Sequence, residues 1–229
     1  MDFELITNDL EGASIDLETL AHTPLWLEIA SDLRIASTFE EMLEKVPDYI
    51  GSGDPEVAKR FAHLTGGNAE EILQLKRDQY DAKLVELEHW GDINPREGFV
   101  KFLNAAEKAH LPIAIGSLRG IRYTWRLIRA SGLGDIFNER NTVLREDVAY
   151  GKPAPDVYLE TARRFNIDPA RQLVFGGSEV GVRAAVAAGS PVIGMPIYYK
   201  ETVEKLLAAG ARAVFRSWKE VTLEKLHQL

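Results

Sequence analysis

Leu111-Pro112-Ile113-Ala114-Ile115-Gly116-Ser117 is the stretch on which the fold turns. A short apolar run, entered from a helical pattern between Phe99 and His110 and left through a glycine and a hydroxyl, reads as a buried strand. The same rhythm repeats toward the C-terminus. Leu173-Val174-Phe175, Pro191-Val192-Ile193-Gly194-Met195 and Ala213-Val214-Phe215 are further strand candidates, spaced by helical patterns, and a helix closes the chain. Strands alternating with helices imply a parallel sheet covered on both faces.

Toward the N-terminus the rhythm is different. From about Asp16 to Val85 the apolar residues keep helical spacing. Leu20, Leu25, Leu27, Ile29 and Leu33 make one face, and Ile72, Leu73, Leu75, Tyr80, Leu84 and Leu87 another. Gly51-Ser52-Gly53 and Thr65-Gly66-Gly67-Asn68 break the run. Ahead of it, Phe3-Glu4-Leu5-Ile6-Thr7-Asn8 carries β-formers into a polar turn. A lone strand before a helical bundle has no partner, so it must join the later sheet. The expected fold class is α/β. A Rossmann-like parallel core is drawn from residues 1–14 and 91–229, with an inserted α-helical cap at 15–90. Its linkers lie near Gly12 to Asp16 and Trp90 to Glu97, the second marked by Gly91, Pro95 and Gly98.

Composition limits the function classes. The chain has 229 residues, 45% apolar and 27% charged, as expected for a soluble globular protein. A net charge of −8 argues against nucleic acid and anionic membranes as partners. The absence of cysteine removes disulfides, zinc–thiolate sites and thiol nucleophiles. No stretch is apolar for the roughly 18 residues that a membrane span needs. The N-terminus lacks a signal-like layout, so the expected location is cytoplasmic.

Ligands of open parallel sheets sit beyond the carboxyl ends of the strands. The segments there are Asp9-Leu10-Glu11-Gly12, Ser117-Leu118-Arg119, Gly151-Lys152-Pro153-Ala154-Pro155-Asp156 and Gly176-Gly177-Ser178-Glu179. They bring a carboxylate pair two residues apart, a hydroxyl, a lysine ahead of a proline-framed helix start, and a glycine turn. Each also has a bland reading. Asp9 can be a turn or cap acid, Ser117 the cap of a helix near Gly120, Lys152 a surface lysine and Arg119 a solvated loop charge.

In this order the segments resemble the haloacid dehalogenase-like (HAD) hydrolases, in their β-phosphoglucomutase and phosphoglycolate phosphatase-like branch. Asp9-Leu10-Glu11-Gly12-Ala13 stands for the family's Asp-x-Asp-Gly-Thr, Ser117 for its strand-end hydroxyl, and Lys152-Pro153-Ala154-Pro155 for its lysine motif. Gly181-Val182-Arg183-Ala184-Ala185-Val186-Ala187-Ala188-Gly189 is similar to the segment after the acidic loop. Asp16, Glu18, His22 and Trp26 resemble the first cap helix. The resemblance implies that Asp9 is a nucleophile forming an aspartyl-phosphate, that Glu11 is the acid and base, and that Ser117 and Lys152 meet the phosphoryl group. It also implies that Gly12, Arg119 and Lys76 contact substrate. Lys76 and Tyr80 have a bland alternative as a solvated helical face. Magnesium, the family's cofactor, would rest on Asp9 and the backbone carbonyl of Glu11.

Three positions depart from the family pattern. Glu11 replaces an aspartate and Ala13 a threonine. Gly176-Gly177 stands where relatives carry acids, and the alternative acidic position is Gly181. Magnesium binding is therefore expected to be weak or absent, unless Glu179 turns inward. The implied function is that of a HAD-like phosphatase or phosphomutase acting on a small phosphorylated metabolite, with phosphate as a ligand. A catalytically inactive ligand- or partner-binding module and a metal-independent 2-haloacid dehalogenase-like hydrolase are the alternatives.

Overall fold

The structure is a computed structural model that describes residues 2–47, 49–50 and 52–229; Gly51 of the expected break lies outside these, with Met1 and Asp48. In chain order the main elements begin with β1 (Leu5–Asn8), α1 (Thr23–Asp32), α2 (Phe39–Lys45), α3 (Asp54–Thr65) and α4 (Ala69–Trp90). They continue with α5 (Phe99–Lys108), β2 (Ile113–Gly116), α6 (Ile121–Ala130), β3 (Thr142–Val143), α7 (Asp156–Phe165) and β4 (Gln172–Gly176). The last are α8 (Glu179–Ala187), β5 (Val192–Gly194), α9 (Tyr199–Ala208), β6 (Ala213–Val214) and α10 (Leu223–Gln228). The chain divides into two compact units: the opening segment through Asp16 together with Ile93–Leu229, and Leu17–Asp92.

The first unit is built on a six-stranded sheet in the order β3-β2-β1-β4-β5-β6, with every neighbouring pair parallel. The opening strand lies in its middle, Ile6 opposite Ile113 on one side and Leu173 on the other. All residues of β1 and β4 are buried; the centre of β4, Leu173-Val174-Phe175, therefore reads as a continuous apolar run, while β1 ends in the buried polar pair Thr7 and Asn8. Helix α7 packs on β1, β2 and β3, α8 on β4 and β5, and α9 on β5 and β6. Phe99, Phe102, Phe175 and Trp218 stack in one aromatic cluster, with ring centroids 4.6–5.8 Å apart. The strand Thr142–Val143 was not anticipated. With two residues it is too short to show a period, and only its pairing with Ile115 and Gly116 reveals it.

The second unit is helical and has its own core, centred on Trp26, Ile29, Met42, Phe61, Ile72 and Leu73. Thr38 and Glu41 cap α2 reciprocally, and the Asn68 side chain accepts from Glu70 N at 2.9 Å to start α4. Helix α4 ends at Gly91, whose φ of 71° is left-handed. One expectation for α4 fails: Leu75 is 44% exposed, and the buried face runs Ile72, Leu73, Lys76, Tyr80, Leu84 and Leu87. Spacing near 3.6 residues puts Lys76 on that face, and a hydropathy reading passes over it because it is charged.

Candidate active site at the carboxyl ends of the strands

Asp9 follows the last residue of β1, and its N–H donates to Phe175 O at 2.9 Å, so the ladder still holds it. The residue is 7% exposed. A carboxylate this far from water needs donors. The Lys152 ammonium forms an ion pair with Asp9 Oδ1, and the Tyr158 hydroxyl donates to the same oxygen at 3.2 Å. Lys152 Nζ also donates to Gly116 O at 3.3 Å and lies 4.9 Å from the Tyr158 ring centroid. Burial, then the charge of Asp9 and its hydrogen bond, hold the Tyr158 phenol well above its ordinary pKa, so it stays a donor. Lys152 is thus no surface lysine and Asp9 no exposed turn acid.

Tyr158 is the residue that sequence reasoning missed. It stands in the first turn of α7, just after Lys152-Pro153-Ala154-Pro155, and a helix starting there can point a side chain back at the strand ends. An aromatic in an amphipathic helix otherwise reads as core, and nothing in its spacing distinguishes it.

Ser117 is buried at the end of β2, its N–H donating to Val143 O at 2.9 Å. It does not cap α6. Gly120 holds the N-cap position, and the Ser117 hydroxyl oxygen accepts from Arg119 N at 3.2 Å. Arg119 is not simply a solvated charge either. Its guanidinium donates to both oxygens of Glu11, at 2.6 and 2.8 Å. Two acids and two bases therefore meet at one end of the sheet, with formal charges in balance.

Gly12, at φ 84°, lets the chain turn sharply beside Gly177. A Cβ on Gly177 would come within 3.2 Å of Gly12 C and 3.4 Å of Ala13 N, and one on Gly181 within 2.8 Å of Asp9 Oδ2. The loop has closed onto the space a side chain would use. Glu179 turns away, its carboxylate accepting from Arg183 at 2.9 and 2.6 Å on an exposed turn of α8. Among the described residues, no three His, Asp or Glu side chains cluster closely enough to hold a metal ion.

Lys76 belongs to the helical unit, and the solvated-face reading of Lys76 and Tyr80 is overturned. Lys76 has no exposed surface, and Tyr80 is 6% exposed. The Lys76 ammonium lies 4.6 Å from the Tyr80 ring centroid and 5.6 Å from that of Trp26. It is also 3.4 Å from His22 Nδ1. Trp26 Nε1 donates to Asp54 Oδ1 at 2.9 Å. Burial works to raise the Asp54 pKa, but the His22 hydrogen bond and the Lys76 charge outweigh it and hold the carboxyl well below its ordinary 3.8.

The family model described as haloacid dehalogenase-like hydrolase matches residues 5–189. Phosphoglycolate phosphatase of Nitrosospira multiformis is 29% identical over 197 residues, covering 84% of this chain and 86% of that protein. YhcW of Bacillus subtilis is 33% identical over 129 residues, and that match spans 56% of this chain and only 55% of its relative. Among solved structures, a haloacid dehalogenase-like protein of unknown function from Agrobacterium tumefaciens superposes with a TM-score of 0.82 at 24% identity, covering 99% of this chain and 98% of that one. A CbbY variant from Rhodobacter sphaeroides, in complex with xylulose-1,5-bisphosphate, superposes with a TM-score of 0.68 at 26% identity, covering 95% and 96%.

Proposed function

The chain belongs to the haloacid dehalogenase-like hydrolase family, and from that membership we propose that it hydrolyses a small phosphate monoester through Asp9. The observation that carries this reading is the Asp9 carboxylate fixed by Lys152 and Tyr158 at the carboxyl end of the central strand. Lys152 and Tyr158 engage Oδ1, which leaves Oδ2 to attack phosphorus. The ester P–O bond breaks as the Asp9 O–P bond forms, Glu11 gives its proton to the leaving oxygen, and water that then loses a proton to Glu11 cleaves the aspartyl-phosphate to phosphate and free Asp9. Lys152 offsets the charge of Asp9 and of the incoming group. Ser117 supplies a hydroxyl beside them. The names of the phosphoglycolate phosphatase relative and of the sugar bisphosphate bound to CbbY support a small phosphorylated metabolite as the substrate class.

The family's magnesium fits this donor set poorly. Asp9 Oδ1 already holds Lys152, Gly177 brings no carboxylate, and Glu179 is paired with Arg183. Lys152 with Arg119 supplies the positive charge at the site. Lys76 is assigned to the interior of the helical unit rather than to substrate. No helix among the described residues is long and apolar enough to cross a membrane, and the net charge of −8 argues against nucleic acid.

The test is phosphate release from 2-phosphoglycolate and p-nitrophenyl phosphate, by wild type and Asp9→Asn, in magnesium and in EDTA. The reading expects turnover that Asp9→Asn abolishes and that EDTA reduces only slightly. Equal rates for wild type and Asp9→Asn would overturn it. A second reading, a phosphate-binding module without turnover, is favoured by the two-point Arg119–Glu11 contact, which must open before Glu11 can serve as an acid. Saturable phosphate binding with no hydrolysis would select it.

A further inference from the structure

Arg96 lies outside every motif read from the sequence, yet its side chain gathers the loops that follow three strands. One guanidinium nitrogen donates to Gly12 O at 2.6 Å and to Met195 O at 2.7 Å. The other donates to Pro196 O at 3.2 Å and to Arg216 O at 3.1 Å. These carbonyls come after β1, β5 and β6. Its own N–H donates to Ser14 O at 2.8 Å, and Trp218 Nε1 donates to Ala13 O at 2.7 Å. Three successive carbonyls of the Asp9 loop are thereby fixed. Four backbone carbonyls converging on one guanidinium form a cage for a cation, and the chain fills it from within. Burial lowers the Arg96 pKa even though Asp16 acts to raise it, as a cation drawn out of water should show.

We propose that Arg96 is a positioning residue, setting the orientation of the loop that carries Asp9 without itself meeting substrate. A trans peptide points its C=O and N–H in opposite directions. With the Gly12 carbonyl held on Arg96, the Ala13 N–H is turned away from the guanidinium, and this peptide is the one that lies against Gly177. Ser14 Oγ donates to Asp9 O at 2.8 Å, linking the held segment to the nucleophile's own backbone. The effect on turnover rests on the phosphatase reading above; the effect on the loop does not.

The experiment compares wild type, Arg96→Lys and Arg96→Ala by amide hydrogen exchange and by steady-state hydrolysis of p-nitrophenyl phosphate. In Arg96→Ala, exchange at Gly12, Ser14 and Ile15 should rise tenfold or more, while Val174 and Phe175 in β4 change little, on the order expected for local opening. kcat should fall about tenfold or more with KM nearly unchanged, since the nucleophile is misaimed rather than the substrate lost. Millimolar guanidinium ion should enter the vacated cage and restore both, and Arg96→Lys should fall between. Loop and β4 amides rising together would make Arg96 a general scaffold residue and overturn the proposal; so would no change at the loop. If wild type and Asp9→Asn hydrolyse alike, the phosphatase reading fails, and the exchange data still decide the role of Arg96.

Discussion

Gly177→Asp puts a carboxylate where the family carries one, and its cost can be read from the surrounding atoms. The new Cβ would lie 3.2, 3.3 and 3.4 Å from Gly12 C, Gly12 Cα and Ala13 N. Ordinary contact begins near 3.4 Å, so the Gly12–Ala13 peptide has to yield by a few tenths of an ångström. Arg96 holds its carbonyl and Trp218 holds that of the next peptide, so it gives way reluctantly. Overpacking of this kind costs roughly 1–3 kcal/mol, and the small overlap favours the low end, about 1 kcal/mol. For a chain of this length that lowers Tm by about 2–4 °C. The added carboxylate beside Asp9 should create a saturable magnesium site, and wild type is expected to show none under the same conditions. At ten times Kd, binding returns RT ln 11, about 1.4 kcal/mol, so magnesium should bring the variant back to wild-type stability or just above it. Calorimetric titration with Mg²⁺ and melting curves with and without the ion measure both halves. Gly181→Asp is the contrasting variant: its Cβ would stand 2.8 Å from Asp9 Oδ2, and it should lose more stability. A micromolar magnesium site in wild type, or a Gly177→Asp variant that keeps full stability and gains no magnesium binding, would refute the reasoning.

Three further outcomes are expected. Lys152→Ala leaves Asp9 buried with Tyr158 as its remaining side-chain donor, and should cost about 3 kcal/mol, most of it recovered in Asp9→Asn/Lys152→Ala; denaturant titration of the four-member cycle checks this. Asn8 is fully buried, and among the described residues neither its amide nitrogen nor its amide oxygen meets a hydrogen-bond partner, so Asn8→Leu should stabilise by about 1 kcal/mol, read as a higher Tm. Asp54 has a depressed pKa, so it contributes stability that is complete above its unfolded value of 3.8 and is lost as pH falls toward its folded one. The urea midpoints of wild type and Asp54→Asn should therefore differ at neutral pH and converge through acid; a constant gap would contradict this.

The α/β class was legible because Ile113–Ile115, Leu173–Phe175 and Val192–Ile193 are unbroken apolar runs, whereas β1, Leu5-Ile6-Thr7-Asn8, turns polar and joins the sheet because a lone strand needs a partner. β3 was not legible, since two residues carry no period. At the candidate site, the sequence placed Asp9, Glu11, Ser117, Arg119 and Lys152 after strands, and all five lie at the carboxyl ends in the structure. Their pairings were not legible. That Arg119 reaches Glu11, and that Tyr158 rather than a loop residue joins Lys152 on Asp9, depends on distances between residues more than a hundred positions apart. Lys76 was misjudged because charge was taken as a sign of solvent, whereas two aromatic rings and a nearby carboxylate make an interior ammonium tolerable.

The middle strand of the sheet is also the first to be made. β1 is complete at Asn8, yet its neighbours Ile113–Ile115 and Gln172–Phe175 come much later in the chain. At ribosomal speeds of about 5–20 residues per second, the segment waits roughly 10–30 s between its own synthesis and that of its second partner. Until β2 is made, Leu5 and Ile6, both without exposed surface in the finished protein, have no strand to pair with, and until β4 is made they have one on a single side only. The helical unit faces no such delay, because every residue it needs has been made by Asp92. On the ribosome the two units should thus acquire structure in the order insert first and core last. Few of the core's sheet contacts are local, and β1 is the strand of this sheet left longest without its partners during synthesis.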